Sequence, residues 1–330
     1  MTRRAFVLLY HRIAEPTSDP WQLCVSPAHF DEHLQVLRRR SRVLSLADIV
    51  ESALNGNWPE DSVAITFDDG YADNIAATSV LEEMAFPATI FVSTGYIGGR
   101  REFWWDELDR LLLQPGVLLP TVAVELGGDV VSFTLGDTAR YTEDAARRHQ
   151  RWRAYEDDPP SSRQAAYLTL WERLVTQTES VQRNVLGQLA DQGDPVTATR
   201  ESRRPMTRDE IASIARSPLI GIGAHTVFHP ALPALPMEAQ RSEITSSKET
   251  LEAIAGRPIE GFSYPHGRYT AGSVDLVREA GFRYACAVRP AGISPNLFVD
   301  HCDPYVLPRI VVPDCDGDTF EHKLLNGFED

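Results

Sequence analysis

Two acids stand side by side in Thr66-Phe67-Asp68-Asp69-Gly70, directly after an apolar run. An Asp-Gly pair alone reads as a β-turn, but a turn does not need two carboxylates. Adjacent side chains at a strand end point in different directions, so one acid can bind a cation while the other accepts a proton. Further along, His225-Thr226-Val227-Phe228-His229 spaces two imidazoles four residues apart. In isolation these could be unrelated surface histidines; on one helical turn they share a side, as chelation of a divalent metal needs. Pro230, Pro233 and Pro236 forbid a long helix after the pair, so it sits on a loop or a single turn. Two histidines and one carboxylate leave coordination positions for water and a substrate oxygen. A metal so held lowers the pKa of water and polarises a carbonyl, and a second carboxylate can take the proton. That set suits hydrolysis of an amide or ester. The sequence contains no Gly-rich phosphate loop and no G-x-S-x-G elbow, which argues against phosphoryl transfer and serine hydrolysis.

These residues need elements to position them. Short apolar runs at 5–11, 62–67, 88–94, 219–224, 261–264, 283–288 and 305–312 read as strands, separated by amphipathic stretches that read as helices. The run at 88–94 is nearly all apolar, as strands covered on both faces are. Repeated β-then-α units imply a parallel α/β sheet, and both an open doubly wound sheet and a (β/α) barrel fit. In either, function belongs at the C-terminal ends of the strands. The polar residues lie there: His11 after the first run, Asp68 and Asp69 after the second, His225 after the run at 219–224, Pro265-His266 after the run at 261–264. Arg309 falls on the last run.

Between 98 and 204 the rhythm changes. Segments 121–126 and 130–135 flank Gly127-Gly128-Asp129 as a hairpin, and charge-rich helices are expected over 144–155 and 162–189. The chain therefore divides into a discontinuous barrel, 1–98 and 206–330, and a mixed α+β insertion, 99–205, expected to act as a substrate lid.

The 330 residues carry 32 basic and 47 acidic side chains, a net charge of -15, which repels phosphate backbones and excludes nucleic acid as a partner. His11 and Arg12 interrupt the first apolar run too early for a secretory signal, and no run approaches the roughly 20 residues of a membrane span. Cys24, Cys286, Cys302 and Cys315 include no C-x-x-C pair and read as scattered thiols of a reduced compartment, so a cytoplasmic location is expected.

Taken together, the chain resembles the NodB-type polysaccharide deacetylases, the fourth family of carbohydrate esterases. Its TFDDG motif stands as Thr66-Phe67-Asp68-Asp69-Gly70 and its H-[ST]-x-x-H motif as His225-Thr226-Val227-Phe228-His229, in the right order. The resemblance covers about residues 5–100 and 205–315 and implies a distorted (β/α)7 barrel. It implies Asp68 as catalytic base, and Asp69, His225 and His229 as ligands of one divalent metal ion, usually zinc (Zn2+). The third motif, usually R-x-P-Y-G, aligns with Ser263-Tyr264-Pro265-His266-Gly267, which lacks the arginine and has histidine for tyrosine. By resemblance, Tyr264 and Pro265 face substrate and the main-chain N–H of His266 helps bind the oxyanion. Arg309, in Leu307-Pro308-Arg309, is expected to replace the missing arginine as charge partner of Asp68. The D-x-x-D-W and L-x-H motifs are not found. Leu9-Tyr10-His11-Arg12 is similar to the branch whose chain begins with the strand that other members carry last.

Expelling an amine needs a proton donor with a pKa near working pH, which points to histidine. His29, His33, His149 and His322 fall on expected helices and read as solvated, and His301 lies in a polar loop. His11 and His266 remain, and His11 is preferred because its strand, by resemblance, replaces the one that supplies the acid. The alternative for His11 is a capped core histidine.

The function so implied is removal of an N-acyl group, foremost acetyl, from an amino sugar: an N-acetylated sugar, a nucleotide sugar, a lipid-linked sugar or an amino-sugar natural product. Trp104 and Trp105 open the insertion and could stack on sugar rings; anchoring the insertion explains them equally well. Two other readings compete: a metal amidohydrolase acting on a non-peptide C–N bond of a small non-sugar substrate, since family relatives of that kind also carry Tyr-Pro variants of the third motif, and a catalytically silent binding barrel. The intact acid and histidine pairs argue against silence.

Overall fold

Apolar runs six residues long or shorter, spread from residue 5 to residue 311, build the wall of a barrel. In the computed structural model, which describes residues 5–55, 59–99, 101–194, 199–288 and 303–328, they form seven parallel strands. These are β1 (Ala5–Tyr10), β2 (Ser62–Phe67), β3 (Ala88–Val92), β4 (Ile220–Ala224), β5 (Gly261–Ser263), β6 (Tyr284–Val288) and β7 (Leu307–Val311). Each strand pairs with the next, and β7 returns to pair with β1, closing the barrel. The β1–β2 register runs from Ala5↔Ser62 to Tyr10↔Phe67. The closed (β/α)7 barrel, not the open sheet, is the outcome.

Side-chain alternation splits β1, β2, β3, β6 and β7 between two cores. Phe6, Leu8, Tyr10, Val63, Ile65 and Phe67 belong to the larger cluster, which includes the apolar faces of the helices. Ala5, Val7, Ala64, Phe91, Tyr284, Cys286 and Leu307 form a second cluster with Leu46, Ile49 and Val50 of the helix Leu46–Leu54. Small residues face the large ones in this second cluster: a Cβ on Gly223 would lie 2.3 Å from Phe91, and one on Gly261 2.5 Å from Tyr284. The same parity that buries Ala64 and Leu307 carries Thr66, Asp68 and Arg309 to one face at the strands' C-terminal ends.

The helix Pro27–Arg40 starts where Ser26 accepts the His29 N–H, as Ser26-Pro27 predicts. His33 on this helix corrects the expectation of a solvated surface residue. It is 0% exposed, contacts the Cys315 carbonyl at 2.7 Å and stacks on Phe320. It lies three residues past Phe30 and four before Leu37, squarely on the buried stripe. His301 and Cys302 lie outside the described residues.

The chain forms two compact units. The first is Met1–Glu15, Leu23–Gly98 and Pro205–Asp330; the second is Pro16–Gln22 and Gly99–Arg204. Pro16–Gln22, expected with the barrel, belongs to the second unit. It joins the second unit because the Trp21 indole donates to the Tyr167 hydroxyl at 2.6 Å and the Pro20 carbonyl accepts from Ala154 at 2.8 Å. Within that unit, Thr121–Leu126 and Asp129–Thr134 pair as an antiparallel hairpin around Gly127 and Gly128, both at positive φ. The helix expected over 162–189 is two, Ser162–Leu174 and Glu179–Ala190, because Val-Thr-Gln-Thr at 175–178 breaks it and Thr178 takes the extended N-cap conformation of the second. The helix expected over 144–155 ends at His149.

Of the two readings of Trp104 and Trp105, stacking on sugar and anchoring the insertion, the packing supports anchoring. Trp104 and Trp105 are 3% and 6% exposed. The Phe103 ring stacks on Trp105 at 4.8 Å, and Trp104 packs against Trp105 and Trp171. Their faces are occupied by protein, so they build the core of the second unit instead of presenting a sugar platform. Among the described residues, no helix is long and apolar enough to cross a membrane.

Candidate active site

The chain leaves β2 through a sharp turn. Asp69 has φ 71° and Gly70 φ 84°, and a Cβ on Gly70 would come within 2.9 Å of Val92, so glycine is required there. This turn sends the two neighbouring carboxylates to different partners. Asp68 is gripped by Arg309 from β7 through two parallel bonds, Nη1 to Oδ1 at 2.7 Å and Nη2 to Oδ2 at 2.6 Å. The Ser263 hydroxyl, at the end of β5, donates to Asp68 Oδ2 at 3.1 Å and accepts from Arg309 Nη2 at 2.7 Å. Thr66 accepts from Arg309 Nη1 and passes its own proton to the Leu8 carbonyl. Arg309 is 0% exposed and Asp68 3%. Burial acts to raise the Asp68 pKa; the Arg309 guanidinium, with His225 and His11, overcomes it and holds the carboxyl well below the usual range. Asp68 is therefore an oriented anion, the state a base must be in.

Asp69 turns instead to the histidines. One ligand atom from each of Asp69, His225 and His229 can be chosen so that all lie within 4.8 Å of one another, and all three residues are buried. Asp69 Oδ1 is 3.7 Å from His225 Nε2 and 3.4 Å from His229 Nε2. His225 Nδ1 lies 2.8 Å from the Ser263 carbonyl, which can only accept, so the proton sits on Nδ1 and the Nε2 lone pair faces both carboxylates, 3.6 Å from Asp68 Oδ2 and 3.7 Å from Asp69 Oδ1. Burial lowers the pKa of both imidazoles, with Asp68 opposing it at His225 and the nearby His266 adding to it at His229. Two neutral imidazoles and a carboxylate in chelating range are a donor set that fits a divalent ion. The histidine pair sits on a loop, with Thr226 at φ 63° and His229 at φ 56°, both in the left-handed region.

The candidate acids lie at the same end. His11 follows β1, its carbonyl accepting from Asn74 at 2.8 Å, and its ring is within electrostatic reach of Asp68, Arg309 and His225. Burial lowers its pKa to about 4, against the raising effect of Asp68. His266 has φ 56°, and its ring centroid is 4.4 Å from that of His229. Burial first, then the charge of Arg268, lowers its pKa to about 3.

Tyr264 and Pro265, expected to face substrate, are both buried. Tyr264 is 0% exposed and its hydroxyl donates to the Tyr305 carbonyl at 3.1 Å; Pro265 is buried. They shape the turn, closed by Gly267 N–H to the Tyr264 carbonyl at 2.9 Å, that sets His266 in place. Two hydroxyls were missed in the sequence, Ser263 and Thr66. Their signal was parity: Ser263 lies where the third motif usually has its arginine, and Thr66 is two residues before Asp68 and so on its face.

Residues 55–117 and 155–285 match the family model described as polysaccharide deacetylase. No curated protein matches the chain. Solved structures do. The Streptococcus pyogenes deacetylase PplD in complex with acetate is 17% identical, covers 100% of both chains and has a TM-score of 0.57. IcaB from Ammonifex degensii is 15% identical over 98% of this chain and 97% of its own, with a TM-score of 0.55. A de-N-acetylase from Aggregatibacter actinomycetemcomitans is 14% identical over 97% of this chain and 99% of its own, with a TM-score of 0.54. At these identities the likeness is one of fold.

Proposed function

The chain belongs to the polysaccharide deacetylase family, hydrolases that act on non-peptide carbon–nitrogen bonds, and from that premise we propose that it removes an N-acetyl group from an amino sugar or sugar conjugate, with Asp68 as base and one zinc ion held by Asp69, His225 and His229. The observation that carries this reading is the division of labour between neighbouring carboxylates: Asp68 is tied to Arg309 and Ser263, while Asp69 faces two neutral imidazoles. One acid is thus prepared for proton transfer and the other for a cation.

When bound, a divalent ion polarises the acyl carbonyl and acidifies water. The residues do the rest. Asp68 takes a proton from the attacking water, whose oxygen bonds to the acyl carbon. Arg309 and Ser263 keep the carboxylate anionic and aimed. The main-chain N–H of His266 donates to the developing oxyanion, a role supported by its left-handed turn beside His229. His11, left neutral by burial that lowers its pKa to about 4, receives the proton that Asp68 took from water and gives it to the nitrogen as the C–N bond breaks, releasing acetate and a free amine. We place the reaction in the cytoplasm, a reading supported by four scattered cysteines, at 24, 286, 302 and 315, with no C-x-x-C pair.

The role of His11 has a specific consequence. His11→Ala is expected to slow hydrolysis of an N-acetyl substrate by about 100-fold or more. It should slow an activated aryl acetate much less, because that leaving group needs no proton. Equal losses on both substrates, or the contrast appearing with His266→Ala instead, would remove His11 from this role.

The substrate class is tested by measuring acetate release from N-acetylated sugars, nucleotide sugars, lipid-linked sugars and simple amides. Release from one of the sugar classes is the expected result. Release from simple amides alone would favour a small-molecule amidohydrolase, the reading that the variant Ser263-Tyr264-Pro265-His266 motif keeps open.

A further inference from the structure

The loop that carries His225 and His229 is held in an unfavourable shape. Thr226, a β-branched residue, and His229 both take positive φ, 63° and 56°, and such conformations are strained and persist only where the surroundings impose them. The carbonyl side is held by the segment after β3. Ser93 Oγ donates to the His225 carbonyl at 3.0 Å, Thr94 N–H to Thr226 at 3.1 Å and Gly95 N–H to Val227 at 2.8 Å.

On the N–H side, Thr226 Oγ1 accepts from the His229 N–H at 3.0 Å, and the two peptides between the histidines are held by one side chain from outside the loop. Glu243, on the helix Met237–Ala255, accepts from Val227 N–H at 2.8 Å and from Phe228 N–H at 2.9 Å, both through Oε2. Two successive backbone N–H groups converging on one anionic oxygen form an anion nest. Among the described residues no lysine or arginine pairs with Glu243; burial acts to raise its pKa and the two N–H groups oppose this. A half-buried carboxylate matched only by the backbone of the residues between the two histidines has a role at that backbone.

We infer that Glu243 is a positioning residue: it locks the Val227-Phe228 peptides so that His225 and His229 present their nitrogens to one cation together with Asp69. Without it, both N–H groups lose their acceptor, the two left-handed residues relax, and the imidazoles separate. Glu243 touches neither substrate nor cation and acts through the loop. This rests on the assignment of His225 and His229 as metal ligands.

The test measures zinc dissociation constants, by competition with a chromophoric chelator, for the wild type, Glu243→Ala and Glu243→Gln, together with thermal melting of each metal-free protein. Glu243→Ala is expected to weaken zinc binding by about 10–100-fold, as loss of a group that orients ligands does. Glu243→Gln, whose amide oxygen can still accept from both N–H groups, should keep most of the affinity. If Glu243→Ala does not fold, Glu243→Asp, which keeps the charge but withdraws the oxygen by one methylene, carries the same expected loss. Wild-type affinity in the folded variants, with a lower melting temperature alone, would show a purely structural role and overturn the inference. A wild type that binds no zinc would instead overturn the ligand assignment, and the inference with it.

Discussion

Asp68→Asn retains bound metal and loses at least about 100-fold, and up to about 10^4-fold, in kcat, the range of a general base removed from a proton transfer. The amide is nearly isosteric and still accepts from Arg309 and Ser263 through its oxygen, but its nitrogen has no lone pair to take a proton. The substitution also has a structural cost. One of the two Arg309–Asp68 bonds becomes donor against donor, and Arg309, 0% exposed, is left with an unbalanced charge. Breaking a buried ion pair from one side costs about 3–5 kcal/mol, so a lower melting temperature is expected with the lost turnover. Metal content of the folded protein separates the causes. Loss of metal together with activity would mean that Asp68 is a ligand and that the roles of the two acids have been exchanged.

His225→Ala gives the opposite pattern: metal content falls to background and turnover falls with it. His225 supplies one of the three donor atoms, and its Nδ1 bond to the Ser263 carbonyl sets which nitrogen faces Asp69. With only Asp69 and His229 left, two ligands remain where catalytic sites use three. Elemental analysis of the purified variant beside the wild type measures the effect. Wild-type metal content in His225→Ala would sink the assignment of the trio.

Much of this site was legible because it follows from parity and strand ends. Once apolar runs are read as parallel strands, the polar residue that ends each run must lie at one rim, and Asp68, Asp69, His225 and Arg309 could be placed together from the sequence. What escaped depends on contacts that no local pattern encodes. Ser263 bridges Asp68 and Arg309 across the barrel, over separations of 195 and 46 residues, and a serine at a strand end gives no sign of this. Glu243 reads as one more solvated acid on an amphipathic helix, because its partners are backbone N–H groups 15 and 16 residues earlier. Trp104 and Trp105 left two readings open for a related reason: an aromatic pair looks alike in sequence whether it meets a ligand or the core of its own unit, and only the packing against Phe103 and Trp171 distinguishes them. The bond of the Tyr264 hydroxyl to the Tyr305 carbonyl, 41 residues away, is likewise encoded by no local pattern.

The central claim is that acetate leaves an N-acetylated amino sugar by a reaction that needs both the cation at Asp69, His225 and His229 and the carboxylate of Asp68. The most direct measurement is acetate release from the best sugar substrate by chelator-treated protein before and after zinc is restored, with Asp68→Asn treated in parallel. The account predicts no release from the stripped wild type, release on adding zinc, and none from zinc-restored Asp68→Asn. Undiminished release from the stripped protein, or full activity of Asp68→Asn, would contradict it.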